Sequence, residues 1–108
     1  MAYSSPLPTP DHRLGFYPMT MSPDALNGFF SKDYAEARKR FVDAATACGA
    51  RLEQHPIDQQ GPDGNALSLD VAHLGAPSAK RRVVLSCGTH GVEGFFGSAV
   101  MLAFLEQQ

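Results

Sequence analysis

Cysteine is scarce: only Cys48 and Cys87 occur, and neither has a CxxC partner. No thiol-based redox or metal motif can be built from them. They read as two free thiols in a reducing cytoplasm, with a bond between them the alternative. Long apolar runs are also missing. The longest, Ala99 to Leu105, falls far short of the roughly 20 residues that span a bilayer. The first twenty residues hold Pro6, Pro8, Pro10 and Pro18 and an Asp-His-Arg run in place of a signal-peptide core, so no membrane role is expected. Nor is there a surplus of positive charge. Nine Lys and Arg stand against 11 Asp and Glu, a formal charge of -2, and no basic patch is dense enough to neutralise phosphates. Nucleic acid is therefore not an expected partner. The runs Arg38-Lys39-Arg40 and Lys80-Arg81-Arg82 read as a solvated helix face and a strand entry.

What is present is ordinary globular composition, 44% hydrophobic and 19% charged over 108 residues, enough for at most one domain with a modest core. Residues 1–28 carry five prolines with scattered Ser and Thr and show no sustained period, which predicts an irregular leader. From Ser31 the pattern changes. Tyr34, Ala37, Phe41, Ala44 and Cys48 recur at spacings of three and four, predicting a helix over about 32–48 with Ser31 as N-cap, Asp33 in the first turn and Gly49 ending it. Residues 51–57 and the alternating Leu67, Leu69 and Val71 predict two antiparallel strands around a type I turn at Gly61-Pro62-Asp63-Gly64. Arg82 to Ser86 reads as a short buried strand. A glycine-punctuated loop follows, then an apolar helix from about Gly94. Helix, hairpin, strand, loop and helix form the opening of an α/β domain. Such domains commonly need roughly 200–250 residues to close their sheets, so the expectation is that the chain is the N-terminal portion of a longer one.

The chemistry concentrates in Ser86-Cys87-Gly88-Thr89-His90-Gly91-Val92-Glu93-Gly94. His90 and Glu93 are separated by two residues, just past the expected strand, where sites collect in α/β sheets because neighbouring loops converge there. Imidazole and carboxylate are both good zinc ligands, and a catalytic zinc takes three protein ligands. His-x-x-Glu can supply two from one tight loop, which the glycines at 88, 91, 94 and 97 allow to bend. Alone the pattern is also that of a surface His beside a surface Glu. Competing motifs fail on particular residues. Gly91 follows His90 where an HExxH helix needs Glu, and Gly94 follows Glu93 where the inverted form needs His. No P-loop or GxGxxG is present, and Ser98 is not in a GxSxG elbow. His12 is expected to be solvated. His55 and His73 are expected to be satisfied or exposed on the hairpin, Asp70 to hydrogen-bond across it, and Cys87 to be a small buried hydrophobe.

Phe30-Ser31-Lys32-Asp33-Tyr34-Ala35-Glu36-Ala37-Arg38-Lys39-Arg40-Phe41 resembles the start of the DUF2817 family of bacterial M14-like metallopeptidases. So do Gly61-Pro62-Asp63-Gly64, Leu69-Asp70-Val71-Ala72 and the run Ser86 to Phe95. The resemblance covers residues 29–108 and implies an α/β fold, the N-terminal part of a zinc-carboxypeptidase-like α/β/α sandwich with a mixed sheet. It implies that His90 and Glu93 are zinc ligands and that the complete domain hydrolyses a peptide or amide bond, its substrate a peptide or an acylated amino acid. The third ligand, the substrate-carboxylate arginine and the general-base glutamate of that family would lie beyond residue 108. No catalytic residue is therefore assigned within this chain. Two alternatives stand beside this one. Aspartoacylase-like acylamino-acid deacylases look similar around Thr89-His90-Gly91, and the chain could be a truncated, inactive remnant or interaction module.

Overall fold

The computed structural model describes residues 22–108. Most of the expected leader, and His12 with it, lies outside the described residues. Its last part forms a single short helix, α1 (Pro23–Asn27), in which Ser22 Oγ accepts from the Ala25 N–H at 3.2 Å and Pro23 sits in the first turn. That is where proline's missing N–H is harmless.

Helix α2 (Tyr34–Ala47) starts two residues later than expected, because Asp33 and not Ser31 is the N-cap. The Asp33 carboxylate accepts from the Glu36 N–H at 2.8 Å, while Glu36 Oε2 reaches back to the Lys32 N–H at 3.0 Å. This is a capping box displaced by one residue at its return bond, and a charged cap oxygen outcompetes a hydroxyl in the field of the helix N-terminus. Ser31 instead joins a clamp in which the Arg40 guanidinium donates to Phe30 O at 3.1 Å and to Gly28 O, fixing the chain's approach to the helix. The helix ends as expected: Gly49 takes φ 74°, and its N–H caps Thr46 O at 3.0 Å.

Strands β1 (Arg51–Gln60) and β2 (Ala66–His73) form an antiparallel pair running from Arg51↔His73 to Gln60↔Ala66, with a bulge between Ile57 and Gln60. The turn closes with Gly64 N–H on Gly61 O at 2.9 Å, and Gly64 adopts φ 73°. Alternation along paired strands puts Ser68, Asp70, Leu52 and Gln54 on one face, and Arg51, Glu53, His55 and His73 on the other.

Helix α2 docks on the first of these faces through polar side chains. Tyr34 Oη accepts from the Ser68 N–H at 2.8 Å, and Arg38 grips Asp70 with Nε–Oδ2 at 2.7 Å and Nη2–Oδ1 at 3.1 Å. The Asp70 side chain is 6% exposed, and Ser68 Oγ donates to its Oδ1 at 2.8 Å. The sequence predicts that Asp70 bonds across the hairpin, but its face points at α2, which presents the Arg38 guanidinium to it. Burial alone would push its pKa up. The hydrogen bonds from Arg38 and Ser68, with Arg38's charge, outweigh that and hold it below the usual carboxylate range.

Helix α3 (Gly94–Leu105) packs against α2, and Ala45, Ala99, Leu102 and Leu105 make the buried core. Two alanines let the axes approach, and each buried leucine contributes roughly 1.5–3 kcal/mol. Phe30 meets Phe96 at a centroid distance of 6.4 Å.

The expected strand Arg82 to Ser86 does not form. Residues 80–88 have no regular structure, and Val83 and Val84 stay 88% and 86% exposed. A helix closes its own hydrogen bonds, whereas a strand exists only when a neighbour supplies partners, and none of the described segments lies beside this one. The sheet of the described residues therefore has two strands, and the class is mixed α/β. A radius of gyration of 17.5 Å, against about 13 Å for a compact 100-residue domain, reflects the same thinness of core. No described helix is long and apolar enough to cross a membrane.

Candidate metal-ligand loop

The segment carrying His90 and Glu93 is a loop pinched shut at its base. Gly88 turns the chain with φ 72°, a conformation that side chains with a Cβ rarely adopt. The loop then returns so closely that a Cβ built on Gly94 would stand 3.1 Å from Gly88 Cα, and one on Gly97 would stand 2.8 Å from Cys87 Cβ. Glycine at 88, 94 and 97 is thus what lets residues 87–88 rest on the first turn of α3. Turn-type hydrogen bonds lead into the helix, from Gly94 N–H to Gly91 O at 3.0 Å and from Phe95 N–H to Val92 O at 3.2 Å.

On this loop His90 and Glu93 are both exposed. Glu93 occupies the N-cap position of α3 in helical conformation, and its carboxylate makes no capping bond. That leaves both oxygens uncommitted to the helix, in a place where the helix dipole favours negative charge. The side chain folds back over the loop, with Oε2 3.4 Å from where a Cβ on Gly91 would stand, beside His90 in sequence. The pair can therefore offer an imidazole nitrogen and a carboxylate to solvent from one seven-residue loop. Cys87, exposed as a residue, has its Cβ pressed against Gly97, and burial pushes its thiol pKa up. It is not poised as a thiolate nucleophile.

A family model described as "Protein of unknown function (DUF2817)" matches residues 30–108. The chain belongs to the DUF2817 family. No curated protein and no solved structure matches it.

In this DUF2817 chain the sequence pair is not joined by further ligands: among the described residues no group of three or more His, Cys, Asp and Glu is arranged to hold a metal ion. The other described histidines sit on the sheet face turned away from α2. There the Glu53 carboxylate takes Arg51 on one side, with His55 Nε2 at 3.6 Å from Oε2 and His73 Nε2 at 3.4 Å from Oε1. Arg51, followed by His73, holds the Glu53 pKa down. The two imidazoles approach different oxygens of one carboxylate, so the group is a bridge and not a cage. His73 Nε2 is buried without a hydrogen-bond partner. Taken singly in the sequence, the two histidines give no sign of this shared carboxylate. The signal that joins them was available in the spacing Arg51, Glu53 and His55, every second residue on one face, but the position of His73 depended on strand register. Surface depressions at the hairpin tip and between α2 and the hairpin are lined by neither His90 nor Glu93.

Proposed function

We propose that this chain contributes the first two metal ligands, His90 and Glu93, of a zinc-dependent hydrolase of peptide or amide bonds, M14-like in its chemistry. The observation that carries the reading is the pinched glycine loop, on which an exposed imidazole and an uncapped, exposed carboxylate stand three positions apart at the start of an apolar helix. As donors the two suit zinc, filling two positions of a His₂Glu set and leaving one open. Such an ion, when bound, supplies polarisation of the scissile carbonyl and lowers the pKa of water to about 7. His90 would bind through a neutral imidazole nitrogen, and Glu93 through a carboxylate free of its own helix. Neither is placed to move the reacting proton. On this reading the third ligand and the base come from outside residues 1–108, within a carboxypeptidase-like sandwich whose mixed sheet includes Arg82 to Ser86. The substrate would be a peptide or an acylated amino acid, and the compartment the cytoplasm.

The test is zinc titration of the chain, followed through its histidine ring resonances. Two ligands on one loop should give weak binding, with His90 shifting first and no tight stoichiometric site. His90→Ala or Glu93→Ala should abolish that response while leaving the spectrum otherwise unchanged. Zinc shifting His55 and His73 but not His90 would refute the assignment.

A further inference from the structure

The chain has two asparagines, Asn27 and Asn65, and different residues follow them: Gly28 after the first, Ala66 after the second. An asparagine side chain is a latent acylating group. The backbone nitrogen of the next residue can attack its Cγ, closing a five-membered succinimide and expelling ammonia. Water then opens either carbonyl of the ring and leaves aspartate or isoaspartate. A Cβ on the following residue crowds the attacking nitrogen, so glycine there favours closure. These rules single out Asn27-Gly28, with Asp63-Gly64 as its acidic counterpart. Local structure decides which backbone can reach the geometry of attack.

Asn27 is exposed and is the last residue of α1, a five-residue helix that buries none of its residues. Helices that short are barely stable alone, and frayed ends open at almost no cost. The Gly28 N–H is held by helix-end bonds, to Asp24 O at 3.2 Å and to Leu26 O, which fraying releases. From Gly28 onward the chain is anchored, because Arg40 donates to the carbonyls of Gly28 and Phe30 and ties them to α2. Asn27 thus stands one residue before an anchor, on a helix that no burial holds. The other candidates are held. The Gly64 N–H is bonded to Gly61 O at 2.9 Å, in a turn closed again by the Gly61 N–H on Asn65 O at 2.8 Å. The Asp63 carboxyl is also a poorer electrophile than an amide. Ala66, which follows Asn65, opens β2 and is paired with Gln60.

We propose that Asn27-Gly28 is a site of spontaneous deamidation in the folded protein, with water its only co-reactant. The Gly28 nitrogen gives up its proton to solvent and bonds to Asn27 Cγ, and the side-chain nitrogen leaves as ammonia. Water then adds across one ring C–N bond, and no oxidation or reduction is involved. Both products place a new carboxylate at the C-terminus of α1, where the helix dipole disfavours negative charge. Isoaspartate also lengthens the backbone by one methylene. The change therefore loosens α1 while Arg40 keeps Gly28 and Phe30 on α2, and it stands apart from the zinc reading.

Incubation of the folded chain at mildly alkaline pH, followed by peptide mapping and isoaspartyl methyltransferase labelling, should convert residue 27 and leave Asn65 an amide. The rate should rise with pH, because the attacking nitrogen must lose its proton. Asn27→Gln should abolish the signal, since the longer side chain has to close a six-membered ring. Gly28 has φ -60° and ψ -19°, a conformation alanine shares, so Gly28→Ala should keep the circular dichroism spectrum. It should slow conversion on the order of tenfold, equivalent to about 1.4 kcal/mol at the ring-closing step. The rate in the folded chain should lie within about tenfold of the rate in urea, because α1 opens without the rest of the molecule. Conversion of Asn27 only in urea would overturn the proposal. So would equal conversion at Asn65, or a rate indifferent to Gly28→Ala.

Discussion

Replacing Arg38 by alanine removes the cation bonded to Asp70 and tests whether polar docking or the small apolar core holds α2 to the hairpin. The wild-type pair makes two charged hydrogen bonds, at 2.7 and 3.1 Å, to a carboxylate whose side chain is 6% exposed. Hydrogen bonds to charged groups contribute roughly 1.5–3 kcal/mol each, and breaking a buried pair by removing one partner costs about 3–5 kcal/mol. Arg38 is itself a third exposed, so water would replace part of what it gives, and Ser68 Oγ stays at 2.8 Å on the carboxylate. The net loss should be about 2 kcal/mol, a drop of roughly 8–16 °C in Tm for a chain this small. Asp70→Asn should lose about 1–2 kcal/mol, and the double variant should lose little more than Arg38→Ala alone, because the two act as one unit.

Urea or thermal unfolding at one fixed protein concentration measures the cycle, and pH supplies a second reading. The folded pKa of Asp70 is depressed, so its stabilisation is fully present above the unfolded value of about 3.9 and is lost as pH falls through the lower folded value. The gap between wild type and Arg38→Ala should therefore narrow as pH falls below the unfolded value and close below the depressed folded one. Additive losses, or a loss under 0.5 kcal/mol for Arg38→Ala, would show that the ion pair decorates a contact made by other groups.

Gly97→Ala brings a methyl to 2.8 Å from Cys87 Cβ. It should cost about 1–3 kcal/mol as overpacking, and Cys87→Gly should restore most of the loss. Failure of that rescue in unfolding experiments would refute the pinch. Burial raises the Cys87 thiol pKa, so its alkylation rate should still climb above pH of about 8.5, the ordinary thiol value; a plateau below that would refute the contact. Gly49→Ala, at φ 74° with open space around the Cβ position, should cost about 1 kcal/mol through backbone strain alone, read as a lower melting temperature with no change in helix length.

Much of this molecule is local and therefore legible in its residues. The apolar period of Tyr34, Ala37, Phe41 and Ala44, the acidic first turn and Gly49 specify α2 without reference to anything distant, since a helix satisfies its own backbone. The hairpin is specified by alternation and by the Gly61–Gly64 turn, and the glycines around His90 and Glu93 announce a tight loop. The choice of Asp33 over Ser31 as cap was a competition between two acceptors two residues apart, decided by charge. Tertiary structure decided the rest, because each remaining feature joins residues far apart in the chain. Asp70 reaches α2 because strand register turns its face to Arg38, 32 positions away. His73 meets Glu53 because of the same register. Arg82 to Ser86 has the composition of a buried strand and stays irregular, since a strand is a property of a pair and composition supplies only one of its members.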